Sequence, residues 1–73
     1  MDVISSYVEA EKKGWGKTQA EAENEARKNA KSYIDEVKRS YPSQWHEKVE
    51  VSVTRYSVYR FCATASIKMW RDD

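Results

Sequence analysis

The chain is poor in the residues that usually organise small domains. It has one cysteine, one proline, one histidine and two glycines among 73 residues. A single Cys62 excludes an internal disulfide framework, and with His46 as its sole possible companion no Cys/His set for zinc can be assembled. No run approaches the roughly 18 consecutive apolar residues of a membrane span. Nor does a charged segment followed by an apolar run mark a signal peptide, so a cytoplasmic location is expected. Charge of one sign is lacking too: 13 Lys and Arg stand against 12 Asp and Glu, a formal net charge of +1. A protein that reads phosphates normally carries a basic excess, so composition argues against a nucleic-acid binder, and equally against an acidic DNA mimic.

What the chain does have is one strong helical pattern. Thr18 followed by Glu21 forms a capping-box pair. From there Ala22, Ala26, Ala30, Tyr33, Ile34, Val37 and Tyr41 recur at spacings of three and four, the stripe of an amphipathic helix. Glu21, Glu23 and Glu25 crowd its start while Lys38 and Arg39 close it, so both ends complement the macrodipole. Gly16 permits a turn into the cap, and Pro42 ends the helix by forcing its predecessor out of the α region. The helix is thus expected over Thr18 to Tyr41. The alanine half of the stripe should approach its partner surface most closely, at Ala22 and Ala26.

On either side the period changes to two. Asp2 to Glu11 alternates, with Ile4, Ser6, Val8 and Ala10 on one side and Val3, Ser5, Tyr7 and Glu9 on the other. Lys12 to Lys17 is expected to connect this strand to the helix, and Pro42 to His46 the helix to the next strand. Val49, Val51 and Val53 alternate with Glu50, Ser52 and Thr54 as a half-buried strand. A turn is expected within Arg55 to Val58, and lacking Gly, Asn or Pro it should use a bulge or longer loop rather than a tight primed turn. Tyr59, Phe61, Ala63, Ala65, Ile67 and Met69 form the inward set of the last strand, and Arg71 to Asp73 a polar tail.

The order is β-α-β-β. A right-handed crossover makes the first two strands parallel, with the most apolar strand between them. The expected fold is α+β: a two-layer β-α-β-β sandwich, one domain over residues 1–73, with one long helix on a three-stranded antiparallel sheet of order 1-3-2. A chain of about 60 residues buries only about 60% of its unfolded surface, so self-association or docking on a partner is an available source of further stability.

Functional motifs are sparse. Gly14-Trp15-Gly16-Lys17-Thr18 ends like a phosphate loop, but Glu11 occupies the place of its leading glycine; the glycines are read as shaping the turn, with Trp15 capping the core. His46 and Cys62 lie on different elements with no third residue to complete a triad or metal shell. No enzymatic activity is therefore expected. The helix can cover only one face of the sheet. The other would show Ser5, Tyr7, Ser52, Thr54, Cys62, Thr64 and Ser66, rimmed by Arg60, Lys68 and Trp70. The expected function is a small non-enzymatic binding module, an inhibitor or adaptor acting by occlusion. It would dock on a protein, or self-associate, through this open face or an edge strand. Trp70, Arg60, Lys68 and Tyr7 are its anchors, because interface hot spots favour Trp, Tyr and Arg. A nucleic-acid-binding domain using Arg55, Arg60, Lys68 and Arg71, with aromatic side chains as stacking platforms, is a further alternative.

Two segments also resemble a known family. Trp45-His46-Glu47-Lys48-Val49-Glu50-Val51, then Ala65-Ser66-Ile67-Lys68-Met69, look like the sheet segments of dodecins, small flavin-binding β-α-β-β proteins that assemble as hollow dodecamers. The resemblance implies a flavin-storage oligomer in which Trp45 stacks on the isoalloxazine; otherwise no cofactor is expected. The chain departs from the family at Thr64, where a glutamine would fall, and between its last two strands, where a Gly-containing turn is missing.

Overall fold

The computed structural model describes residues 6–71. Along them run β1 (Tyr7–Gly16), α1 (Gln19–Ser40), β2 (Trp45–Ser57) and β3 (Arg60–Arg71). The sheet order is β1-β3-β2, and β3 pairs antiparallel with both neighbours. The fold is the expected α+β sandwich: one helix lies on one face of a three-stranded antiparallel sheet.

The helix begins where its cap predicts. Thr18 is extended and its hydroxyl accepts from the Glu21 N–H at 3.1 Å. The Glu21 carboxylate returns to the N–H of Lys17, one residue before the cap, at 3.4 Å. Ala22, Ala26, Ala30, Ile34 and Val37 are buried against Ala63, Ala65, Ile67 and Met69 of the central strand. At the far end Tyr41 closes the helix through a backbone bond to Val37. The Trp45 indole N–H donates to the Tyr41 carbonyl at 2.8 Å, bolting the end of α1 to the start of β2.

Four sequence expectations need correction. The stretch from Lys12 to Gly16 is strand rather than connection, so β1 continues without a break to the cap. Its glycines do not serve a turn: neither has a positive φ. They serve a close approach. A Cβ on Gly14 would collide with the backbone N of Ala26 and sit 2.6 Å from the Ala22 carbonyl oxygen, and one on Gly16 would meet Glu21 Cβ at 2.5 Å. Glycine in a strand often marks such backbone contact. Second, Trp45 and His46 belong to β2, which starts four residues before the valine alternation. Third, Tyr59 is not inward. The hairpin turns at Val58–Tyr59 and leaves Tyr59 76% exposed. The register slips between Arg55 and Ser57, and no described residue has a positive φ. The hairpin therefore closes with a bulge and not with a primed turn. Fourth, Arg71 lies in β3 rather than in a tail. The expected strand positions Asp2 to Ser5, and the tail residues Asp72 and Asp73, lie outside the described residues.

Adding a methyl group to Gly14 therefore tests the packing directly. Gly14→Ala should destabilise the fold by about 1–3 kcal/mol through overpacking. In thermal unfolding followed by circular dichroism that is a Tm loss of roughly 4–8 °C per kcal/mol for a domain of this size. An unchanged Tm would mean that the helix does not sit on β1 in this way.

Candidate functional site

The sheet face opposite the helix carries two aromatic groups separated by a charged and hydroxyl-rich middle. Strand alternation and register place Tyr7, Trp70 and His46 in one row across the three strands. The next rows are Glu9, Lys68, Lys48, then Glu11, Ser66, Glu50, then Lys13, Thr64, Ser52. The last regular row is Trp15, Cys62 and Thr54.

At the first end, His46 and Trp70 stack with ring centroids 5.7 Å apart. Tyr7 donates its phenol proton to Glu9 Oε1 at 2.6 Å. That bond, with some desolvation and the nearby negative charge, raises the Tyr7 pKa above its ordinary value of 10.0. At the other end, the Trp15 ring lies 5.3 Å from Tyr56, and the Arg60 guanidinium sits 4.7 Å from the Trp15 centroid. Cys62, between Trp15 and Thr54, is only 4% exposed although it lies on the open face. Between the ends, Glu9, Glu11, Ser66 and Lys68 line a shallow groove of about 360 Å³.

Of the four expected anchors, the structure gathers three. Tyr7 and Trp70 face each other across β1 and β3, and Lys68 follows one row on, opposite Glu9. Arg60 stands apart: it lies ten positions from Trp70 along β3, roughly 33 Å at about 3.3 Å per residue, in a molecule 46 Å long. The expectation that Trp15 caps the core is replaced by a different role. Its side chain belongs to the open face and is 46% exposed. Sequence reasoning missed Trp15 because Lys12–Gly16 reads as a connection and not as strand, and Tyr56 because Arg55 to Val58 reads as a turn whereas β2 runs to Ser57. Parity counted forward from Tyr7 would have placed Trp15 on its side of the sheet.

Trp45 lies in the core at 9% exposure, with the Arg71 guanidinium 5.2 Å from its ring. His46 and Cys62 are at opposite ends of the face, and among the described residues no three His, Cys, Asp or Glu side chains gather as a metal site. No described helix is long and apolar enough to cross a membrane. The chain matches no protein-family model, no curated protein and no solved structure.

The Tyr7–Glu9 bond has a pH signature. It favours the neutral phenol, so its contribution is complete at neutral pH and is lost as pH rises through the elevated pKa of the folded state. Glu9→Gln should bring the Tyr7 titration back toward the ordinary tyrosine range, read from phenolate absorbance against a Tyr7→Phe control. An unchanged curve would mean the bond does not persist in solution.

Proposed function

We propose that this protein is a non-enzymatic binding module that docks on a protein partner through the uncovered side of its sheet and acts by occlusion, as an inhibitor or adaptor would. The observation that carries the reading is the open face itself. Tyr7, Trp15, Tyr56 and Trp70 all remain substantially exposed there, on a sheet whose middle is built of Ser, Thr and charged side chains. Aromatic anchors with a polar surround are the composition of energetic hot spots in protein interfaces. Rigid aromatic side chains also lose little conformational entropy when they are covered.

The mixture of charges favours a protein over a nucleic acid. Glu9, Glu11 and Glu50 interleave with Lys13, Lys48 and Lys68 on this face, so no continuous basic track follows a phosphate backbone. The flavin reading loses its stacking residue to the core, since the Trp45 indole N–H and ring are engaged there. A cytoplasmic site of action is part of the same proposal.

Trp70→Ala tests the reading. At 38% exposure the side chain should be dispensable for folding, so the variant should keep its circular dichroism spectrum and lose about tenfold or more in affinity for a partner captured by the wild type, as expected for a hot-spot aromatic. Unfolding of the variant would place Trp70 in the core, and unchanged affinity would remove the Tyr7–Trp70–Lys68 end from the interface.

A further inference from the structure

The two edges of the sheet differ. Over β1 the helix is in backbone contact at Gly14 and Gly16, and the Asn29 side chain donates to the Lys13 carbonyl at 2.8 Å. At β2 the helix stands off. Arg27, Lys31, Ile34, Glu47 and Val49 line a cleft of about 170 Å³ there. Val49, Val51 and Val53 are only half-buried along that margin. β2 is also long, at 13 residues, and has neither proline nor glycine. A long edge strand that lacks proline can act as a template for another strand.

The sequence of β2 suits pairing with a copy of itself. Fold it antiparallel upon a copy of itself, with the two-fold axis at Val51. Val51 then meets Val51, Val49 meets Val53, Lys48 meets Thr54 and Glu50 meets Ser52. Glu47 meets Arg55, twice over, once on each side of the axis. In this register no like charges face each other. Moving the axis to Glu50 would set two carboxylates directly opposite. Val51 is also the midpoint of β2 as a whole, Trp45–Ser57. The regular pairing with β3 runs from Trp45 to Arg55 and ends where the bulge begins, so the Glu47–Arg55 pairs lie within regular strand. Valines facing valines would extend the half-buried rib into a continuous apolar strip beneath both helices. Cross-strand pairs of this kind, β-branched on β-branched and acid on base, are the unit of sheet stabilisation.

We propose that the partner at this edge is a second copy of the chain, joined by isologous β2–β2 pairing centred on Val51 into a six-stranded sheet. The proposal rests on the binding-module reading and gives one of its surfaces a named occupant. A single strand pair buries less than a standard interface, so the dimer should be concentration-dependent. It leaves the open face uncovered, so both sheet faces opposite the helices would form one extended docking surface.

Charge exchange tests the register. Glu47→Arg sets two guanidinium groups opposite each other at both ends of the paired strands, and Arg55→Glu sets two carboxylates there instead. Each variant alone should dimerise about tenfold more weakly or worse. Mixed in equal amounts, the two variants restore both opposite-charge pairs and should form a heterodimer of wild-type affinity. The readouts are sedimentation equilibrium for mass and native mass spectrometry for the one-to-one composition, with circular dichroism confirming that each variant is folded. Because Glu47 also pairs with Lys38 at 2.7 Å, rescue in the mixture is the decisive result: a local effect on one chain would not be relieved by the other. A wild type that stays monomeric up to millimolar concentration overturns the proposal, as does a dimer indifferent to both variants, or a mixture that fails to associate. A dimer that ignores both charge variants but dissociates on Trp70→Ala overturns edge pairing while leaving the open face as the binding surface.

Discussion

The contact on which the structure depends is the meeting of α1 and β1 at bare backbone. Gly14 and Gly16 present no side chain to the helix, and Ala22 and Ala26 present only methyl groups, fully buried. A helix can come this close to a sheet only where both surfaces are stripped down. Farther along, Ile34 and Val37 meet Ile67, Met69 and Trp45, so the gap widens from one end to the other. The helix therefore lies obliquely, pressed onto β1 at its start and held off by larger side chains at its end. The Trp45 indole, hydrogen-bonded to Tyr41, fixes that wider end.

An oblique, one-sided helix has consequences for everything else. It covers one face of a narrow sheet and meets the edge strand β1 at bare backbone. Two of the surfaces it leaves are the opposite face, with its exposed aromatic side chains at both ends, and the long edge of β2. Their chemistry differs. The face offers rigid anchors in a polar field, suited to a foreign surface. The edge offers alternating valines and complementary charges, suited to its own copy. In the proposed readings the aromatic ends of the face take the partner while the outer backbone of β2 takes the second copy, and Lys48, Glu50, Ser52 and Thr54 belong to both surfaces.

Much of this was legible in the sequence, for identifiable reasons. The helix was readable because its period, cap and terminating proline all agree, and the strand order followed from the crossover rule and from the apolar run between Phe61 and Met69. The course of β1 was not readable. Gly14 and Gly16 carry the ordinary signature of a turn, and only the neighbouring alanines of a distant helix turn them into strand residues shaped for close contact. Tyr59 continues the alternation of β3 in sequence, but the bulge at Arg55–Ser57 shifts the hairpin so that it sits in the turn instead. Once β1 is extended, Trp15 moves from core to surface. Of the expected anchors, Tyr7, Lys68 and Trp70 fall in one patch because they share strand parity, while Arg60 shares that parity at the other end of the strand.

The most direct test is amide hydrogen exchange along the two edge strands at low and high protein concentration. If the helix seats on β1 and leaves β2 open to a second copy, the outward amides of β2 between Glu47 and Arg55 should be protected only as concentration rises, while β1 stays unchanged. Exchange independent of concentration in β2, or a concentration-dependent slowing in β1 instead, would contradict the account.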